Sequence, residues 1–204
     1  MSPRAGLDRD AVVAAAVDLV NREGAGALSL KRLADELGVQ TPSLYNHVDG
    51  LPGLQRELTL LNARLLGDAL TAAAIGKAGP AAIAALMDAY REYIKANPGL
   101  YLYAVRPAAL DAPHDAERAQ AETRIVMVAV AVVNSFGLTG DDAIHAVRAL
   151  RSVVHGFATL ESAGGFGIPL DLDESFRRLV AMVVAGLEEQ QQVAAGAVRA
   201  TASA

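Results

Sequence analysis

The chain has 204 residues, a formal charge of −5, no cysteine, and 52% apolar but only 4% aromatic residues. This length builds one large or two small domains with a real core, and the absence of thiols excludes disulfides, thiolate metal sites and thiol nucleophiles. Much of the apolar share is alanine and no hairpin signal occurs, so close packing of helices on small side chains is predicted: an all-α protein of about nine helices.

The first helix is expected from near Asp8 to Glu23, ending at Gly24. Its apolar run Ala11 to Val17 lies between Asp10 and Asp18, too short and too acidic at its edges for a secretion signal, so a cytoplasmic protein is expected. Ser29 can accept from an orphan amide one turn on and start a second helix with Leu30, Leu33, Ala34 and Leu37 on one stripe. Gly38 stops that helix in a left-handed turn, and Val39 plugs the angle. Thr41-Pro42 supplies a new N-cap with proline at the first helical position, and the next helix carries Leu44 and Val48 inward. Gln40, Thr41, Ser43, Tyr45, Asn46 and His47 then remain available to an outside partner.

Two short helices meeting at such a turn can place the second in a DNA major groove, and side chains that donate and accept suit base edges. Residues 1 to 60 hold six Lys or Arg against eight Asp or Glu, so this is no basic domain. From Gly38 to Val48 there is no carboxylate, however, and Lys31 and Arg32 lie just upstream. On spacing alone an ordinary helical hairpin with a polar face fits equally well.

A long fourth helix, about 52–75, follows and ends at Gly76-Lys-Ala-Gly-Pro80. Pro80 starts a fifth, to about Ala96, with Ile83, Leu86, Met87, Tyr90 and Ile94 on one face; Asn97-Pro98-Gly99 breaks it before a short turn through Tyr103. Arg106 to Pro113 reads as loop. A seventh segment, His114 to Phe136, turns from charged to continuously apolar and is expected to be a helix buried on most sides; its run Ile125 to Val133 falls well short of the ~20 residues that cross a bilayer. Thr139, with Asp141 and Asp142 behind it, opens an eighth helix, interrupted by glycines 164, 165 and 167. The ninth begins near Asp173, and the Gln/Ala/Gly/Ser tail 193–204 is expected to be disordered.

The N-terminal motifs resemble the tetracycline-repressor (TetR) family of transcription regulators. The likeness covers residues 7 to 66 and rests on Asp10 to Val20, Glu23-Gly-Ala-Gly-Ala-Leu-Ser-Leu30, Leu33-Ala-Asp-Glu-Leu-Gly-Val39 and Pro42-Ser-Leu-Tyr-Asn-His-Val48. The resemblance implies a helix-turn-helix domain at 1–50, a linking helix at 52–75, and an effector-binding and dimerisation domain within 51–192. It also implies a recognition helix at 41 to 47, with Thr41, Pro42 and Ser43 near bases and Tyr45 and His47 on the phosphate backbone or groove wall. Asn46 occupies a commonly aromatic position, and Ser29, Lys31 and Gln40 complete the candidate interface. Most members carry a Lys in the segment matching Asp49-Gly-Leu-Pro-Gly53; here there is none.

The segment Ser152-Val-Val-His-Gly-Phe-Ala-Thr-Leu-Glu161 is similar to the WHG-type regulatory domain of a TetR subgroup, with Val154 in place of the Trp. Met87, Tyr90, Tyr101, Tyr103, Met127, His155 and Phe157 are the candidate lining of an apolar or aromatic effector's pocket among helices five, seven and eight. Val147, Leu150, Val154, Phe176, Val180, Val183, Val184 and Leu187 are the candidate dimer interface, since neighbouring helices with excess apolar surface can pair with a symmetry mate. The partners expected are thus double-stranded DNA with a palindromic operator, a second copy, and a small effector, with no cofactor. His47, His114, His145 and His155 have no metal-ligand spacing, and no phosphate loop or nucleophile elbow occurs, so catalysis is not expected. The competing reading is a helical ligand-binding or scaffold protein without operator recognition.

Overall fold

A computed structural model describes residues 7–105 and 115–202, side chains excepted at 104 and 194–202. The predicted loop from Arg106 to Pro113, and His114, lie outside the described residues. Every regular element among the described residues is helical: α1 Arg9–Glu23, α2 Leu30–Leu37, α3 Thr41–Leu44, α4 Gly50–Ala74, α5 Gly79–Ala96, α6 Pro98–Val105, α7 Ala116–Val133, α8 Gly140–Ser162 and α9 Leu172–Ala202, with short 3₁₀ turns at Ala25–Ala27 and Asn134–Phe136. Among the described residues no single helix is long and apolar enough to cross a membrane.

The chain forms two compact units, 1–65 with 97–119, and 66–96 with 120–204. The first unit therefore takes in the opening half of α4 and all of α6, where the sequence placed a boundary near residue 50. Its core is built by α1 through Val12, Ala16, Leu19 and Val20, a stripe at helical spacing, against Leu33, Ala34, Leu44, Leu54 and Leu58. Leu100 and Tyr103 of α6 belong to the same cluster.

That last element is a full helix, not the short turn expected. Pro98 has no N–H, which costs nothing at a helix start, and the next two orphan donors, the amides of Gly99 and Leu100, both donate to Asn21 Oδ1, at 3.1 and 2.9 Å. The cap thus comes from α1 rather than from a neighbour in sequence. Gly99 makes the approach possible, because a β-carbon there would lie 1.8 Å from the carbonyl oxygen of Val20.

In the second unit α5 packs on α8 and α9. It buries Ile83, Leu86, Met87, Tyr90 and Ile94 as its periodicity predicts, together with one charge, Arg91. The Arg91 guanidinium donates from Nε and Nη2 to both Glu161 carboxylate oxygens, at 2.7 and 2.5 Å, and reaches Asp173 at 2.8 Å. The rings of Phe157 and Phe176, packed on each other with centroids 5.0 Å apart, lie together beside it, 5.4 and 4.8 Å from Cζ. The hydrogen bond to Glu161 holds Arg91 protonated far above the ordinary guanidinium range despite its burial.

Two expectations change here. α7 is not buried on most sides: Ala129, Val132 and Val133 face the core, while Val126 and Met127 are exposed, so its apolar run covers the chain's own core on one face only. The backbone of α9 continues to Ala202 instead of ending before 193, since the Gln/Ala/Val run is rich in strong helix formers and holds no proline.

Candidate nucleic-acid interface

Ser29 Oγ accepts from the amide of Arg32 at 3.1 Å and starts α2 as its position predicts. At the other end Gly38 stands at φ +66°, with its amide and that of Val39 bonded back to the carbonyls of Asp35 and Ala34, at 3.2 and 3.0 Å. This is a Schellman closure, and it turns the chain sharply into α3. Val39 packs onto the core cluster and pins the corner.

The next start lies one residue earlier than predicted. Gln40 is the capping residue and makes no side-chain cap bond, which leaves Thr41 as the first helical residue and its hydroxyl uncommitted to a cap. Regular α-helix covers only Thr41–Leu44 of the recognition helix expected at 41 to 47. Beyond it the amides of Tyr45, Asn46 and His47 bond three residues back, to Pro42, Ser43 and Leu44, so the coil tightens without unwinding. Leu44 and Val48 are buried in the core. Gln40, Pro42, Tyr45 and Asn46 are exposed, and Thr41, Ser43 and His47 are partly so. The local fold thereby brings every residue of the candidate segment to one accessible stretch that carries no charge.

Its electrostatic surroundings were not visible in the sequence. Arg22 pairs with Glu36 at 2.7 Å and Glu23 at 3.6 Å, and Arg32 with Glu23 at 2.7 Å and Glu36 at 3.1 Å, a closed four-residue ring across α1 and α2. The hydrogen bond from Arg32 holds the Glu23 carboxyl below the usual range. Arg9 pairs with Glu57, Arg56 with Asp115 at 2.6 Å, and Arg64 with Glu117. Lys31 is exposed and, among the described residues up to Leu65, is the one cation without a carboxylate partner. Only the Arg32–Glu36 pair, four apart on one helix, carried a sequence signal.

The roles expected of Lys31 and Asn46 are experimentally distinguishable. Lys31→Ala is expected to weaken binding to operator and random DNA alike, about threefold to tenfold, and to reduce the salt slope by about one, as for loss of one phosphate contact. Asn46→Ala is expected to cost about 1–3 kcal/mol on operator alone. Gel shifts on both DNAs at several salt concentrations separate the two, and equal losses for Asn46→Ala would remove its specifying role.

The candidate pocket residues scatter. Met87 and Tyr90 are buried in α5, while Tyr101 and Tyr103 belong to α6 in the first unit, where Tyr103 fills the core beside Leu100. Met127 is exposed, and Phe157 packs on Phe166 and Phe176 with centroids 4.9 and 5.0 Å away. His155 is partly buried, and desolvation, aided by Arg151, shifts its pKa below the ordinary imidazole value. The second unit does hold an open cleft of about 300 Å³ at the ends of α4 and α7, lined by none of these seven.

The candidate interface residues lie largely within the chain. Leu150, Val154, Phe176, Val180 and Leu187 are buried inside the chain itself, and Val147, Val183 and Val184 are partly buried, because the face that repeats at three and four residues covers the chain's own core. Among the described residues no three His, Asp or Glu side chains gather as metal ligands.

Comparison with known proteins places this geometry. Residues 83–183 match the family described as tetracyclin repressor-like, C-terminal domain. The chain is 33% identical over 188 residues to the uncharacterized HTH-type transcriptional regulator YobS of Bacillus subtilis, covering 92% of this chain and 96% of that protein. It is 34% identical over 188 residues to the uncharacterized HTH-type transcriptional regulator Rv0681 of Mycobacterium tuberculosis, covering 90% and 83%. A solved TetR structure from Acinetobacter baumannii AYE, in complex with minocycline, shares its fold with a TM-score of 0.66 at 21% identity, covering 91% of this chain and 98% of that one.

Proposed function

Because this chain belongs to the TetR family of transcriptional regulators, we propose that it binds a palindromic operator as a homodimer in the cytoplasm and leaves it when a small apolar effector binds the second unit. The observation that carries the reading is the exposed, uncharged stretch from Gln40 to His47, braced by a glycine corner and two buried anchors, Leu44 and Val48. Such a surface can approach base edges without like-charge repulsion from phosphates. Release follows by linkage: an effector that favours a spacing of the two recognition segments unlike the DNA-bound one lowers operator affinity, ordinarily 5- to 150-fold. That the tetracycline-repressor relative was crystallised with minocycline supports a ligand-gated reading of this fold.

For dimerisation the exposed faces of α8 and α9 serve better than the buried ones. Ala149, Ser152 and Leu160 form an exposed stripe on α8; Met182 and Gly186 lie exposed on α9, with Met182 at 65%. Small residues allow close helix approach, and two such faces make a four-helix seam that sets paired reading heads about 34 Å apart on successive turns. Met182→Glu is expected to convert the dimer to monomer in light scattering at micromolar concentration and to lower operator affinity at least 100-fold. A dimer unaffected by this charge would move the interface elsewhere.

The direct test is a gel shift against the DNA flanking the protein's own gene. Saturable binding that resists excess random DNA is expected. Binding no tighter than to random DNA would favour a ligand-binding protein without an operator.

A further inference from the structure

The cleft in the second unit has a chemistry of its own. Its walls are Ala74, Ile75 and Ala78 from the end of α4 and the following turn, and Val128, Ala131 and Val132 from α7. At about 300 Å³ it stands at the lower end of small-molecule sites, which run from ~300 to 1,000 Å³. Ile75 is 71% exposed at its edge, an aliphatic side chain that the described residues leave largely uncovered.

The hydroxyls in the lining are occupied. Thr71 donates to the Gly67 carbonyl at 2.6 Å; Ser135 donates to the Val132 carbonyl at 2.6 Å and accepts from the Gly79 amide at 2.9 Å. What is left to select a ligand is apolar surface and one cation, Lys77. Its Nζ donates to the Ala73 carbonyl at 2.8 Å, has no ion-pair partner among the described residues, and keeps two N–H groups free for an anion. No carboxylate lines the cleft to compete for it. Left-handed glycines on both sides, Gly76 at φ +72° and Gly79 at +56°, hold the turn that presents Lys77.

We infer that this cleft takes a small carboxylic acid with a flat or branched apolar body, the body on the alanine and valine walls and the carboxylate on Lys77 Nζ, and that such acids are the effector class. The inference rests on the reading of the chain as an effector-released operator binder. A neutral ligand of equal shape gains the apolar burial but not the ion pair, and an amine meets like charge at the rim.

The experiment uses the full chain without DNA, titrated calorimetrically with 1-naphthoate, 1-naphthalenemethanol and 1-naphthylmethylamine. Naphthoate is expected to bind at least tenfold tighter than the alcohol, and the amine weakest. Lys77→Met is expected to weaken the acid far more than the alcohol, bringing the two within about threefold of each other, and Ala131→Phe, which fills the cleft from one wall, to abolish both. Equal binding of acid and alcohol to the parent protein, no binding of either, or indifference to Ala131→Phe overturns the site. A gel shift with and without naphthoate then separates the two levels. Operator binding that naphthoate weakens fivefold or more supports the effector class. Operator binding that it leaves unchanged overturns that class while operator recognition stands, and absence of any operator complex without ligand is the failure of the underlying reading.

Discussion

Replacing Gly99 by alanine is expected to lower the unfolding free energy by about 3 kcal/mol or more, among the largest effects of any single methyl group in this chain. The new β-carbon would sit 1.8 Å from the carbonyl oxygen and 2.3 Å from the carbonyl carbon of Val20, and 2.8 Å from the amide nitrogen of Asn21, all of them backbone atoms. None can yield by a rotamer change, so α6 must back away from α1. Withdrawal breaks the two bonds to Asn21 Oδ1, each worth roughly 1 kcal/mol net, and loosens Leu100 and Tyr103 in the core. Asn21→Ala removes only the cap and is expected to cost about 1–2 kcal/mol. Gly67→Ala is the control. That glycine lies inside α4, an added methyl would meet Ile125 at an ordinary 3.5 Å, and helix propensity predicts a gain of about 0.5–1 kcal/mol. Urea unfolding of the three variants decides the matter, and a Gly99→Ala protein within 1 kcal/mol of the parent would mean that α6 does not rest on α1 in solution.

Truncating Arg91 to alanine is expected to cost about 3 kcal/mol, because it leaves the Glu161 carboxylate, whose side chain is only 12% exposed, without its bidentate partner and with only the longer contact to Lys95 at 3.7 Å. The Asp173 contact adds little, since that side chain is 81% exposed and screened by water. Loss of the cation beside the Phe157 and Phe176 rings adds about 0.5–2 kcal/mol. Desolvation and Coulomb attraction nearly cancel for a buried pair, so the double variant Arg91→Met with Glu161→Leu is expected to recover most of the stability. Chemical denaturation of the single and double variants checks both signs. If the double variant is no more stable than Arg91→Ala, the pair contributes net stability and not merely specificity of packing.

The local geometry of the segment from Ser29 to Val48 is legible in its sequence. Ser29 as a cap, Gly38 as the stop, and Leu44 and Val48 four apart are decided by interactions within a few residues, and the structure has each as expected. Thr41 was misplaced by one because a threonine before a proline resembles a cap, while the backbone had already become helical at Thr41 behind Gln40. α6 escaped because Asn-Pro-Gly is a breaker locally, and its cap comes from 78 residues away. The α8 and α9 valines and leucines show a limit of another kind. A stripe at three- and four-residue spacing says that a face is covered but not whether by the same chain or a copy, and here the chain's own core covers Leu150, Val154, Phe176 and Leu187. Arg32–Glu36 apart, the arginine pairings that bridge elements needed side chains distant in sequence to meet, which no spacing encodes.

The commitment of Arg9, Arg22, Arg32, Arg56 and Arg64 to carboxylates has a consequence for how the protein finds its site. With Lys31 the one cation lacking a carboxylate partner among the described residues up to Leu65, two copies on the proposed operator would displace few condensed counterions, and affinity is expected to fall only about tenfold between roughly 50 and 200 mM salt, against 10³–10⁵ for a protein making 6–10 phosphate contacts. Such a molecule spends little time held on bulk chromosomal DNA, and its occupancy of the operator stays nearly level when osmotic stress raises the potassium content of the cell.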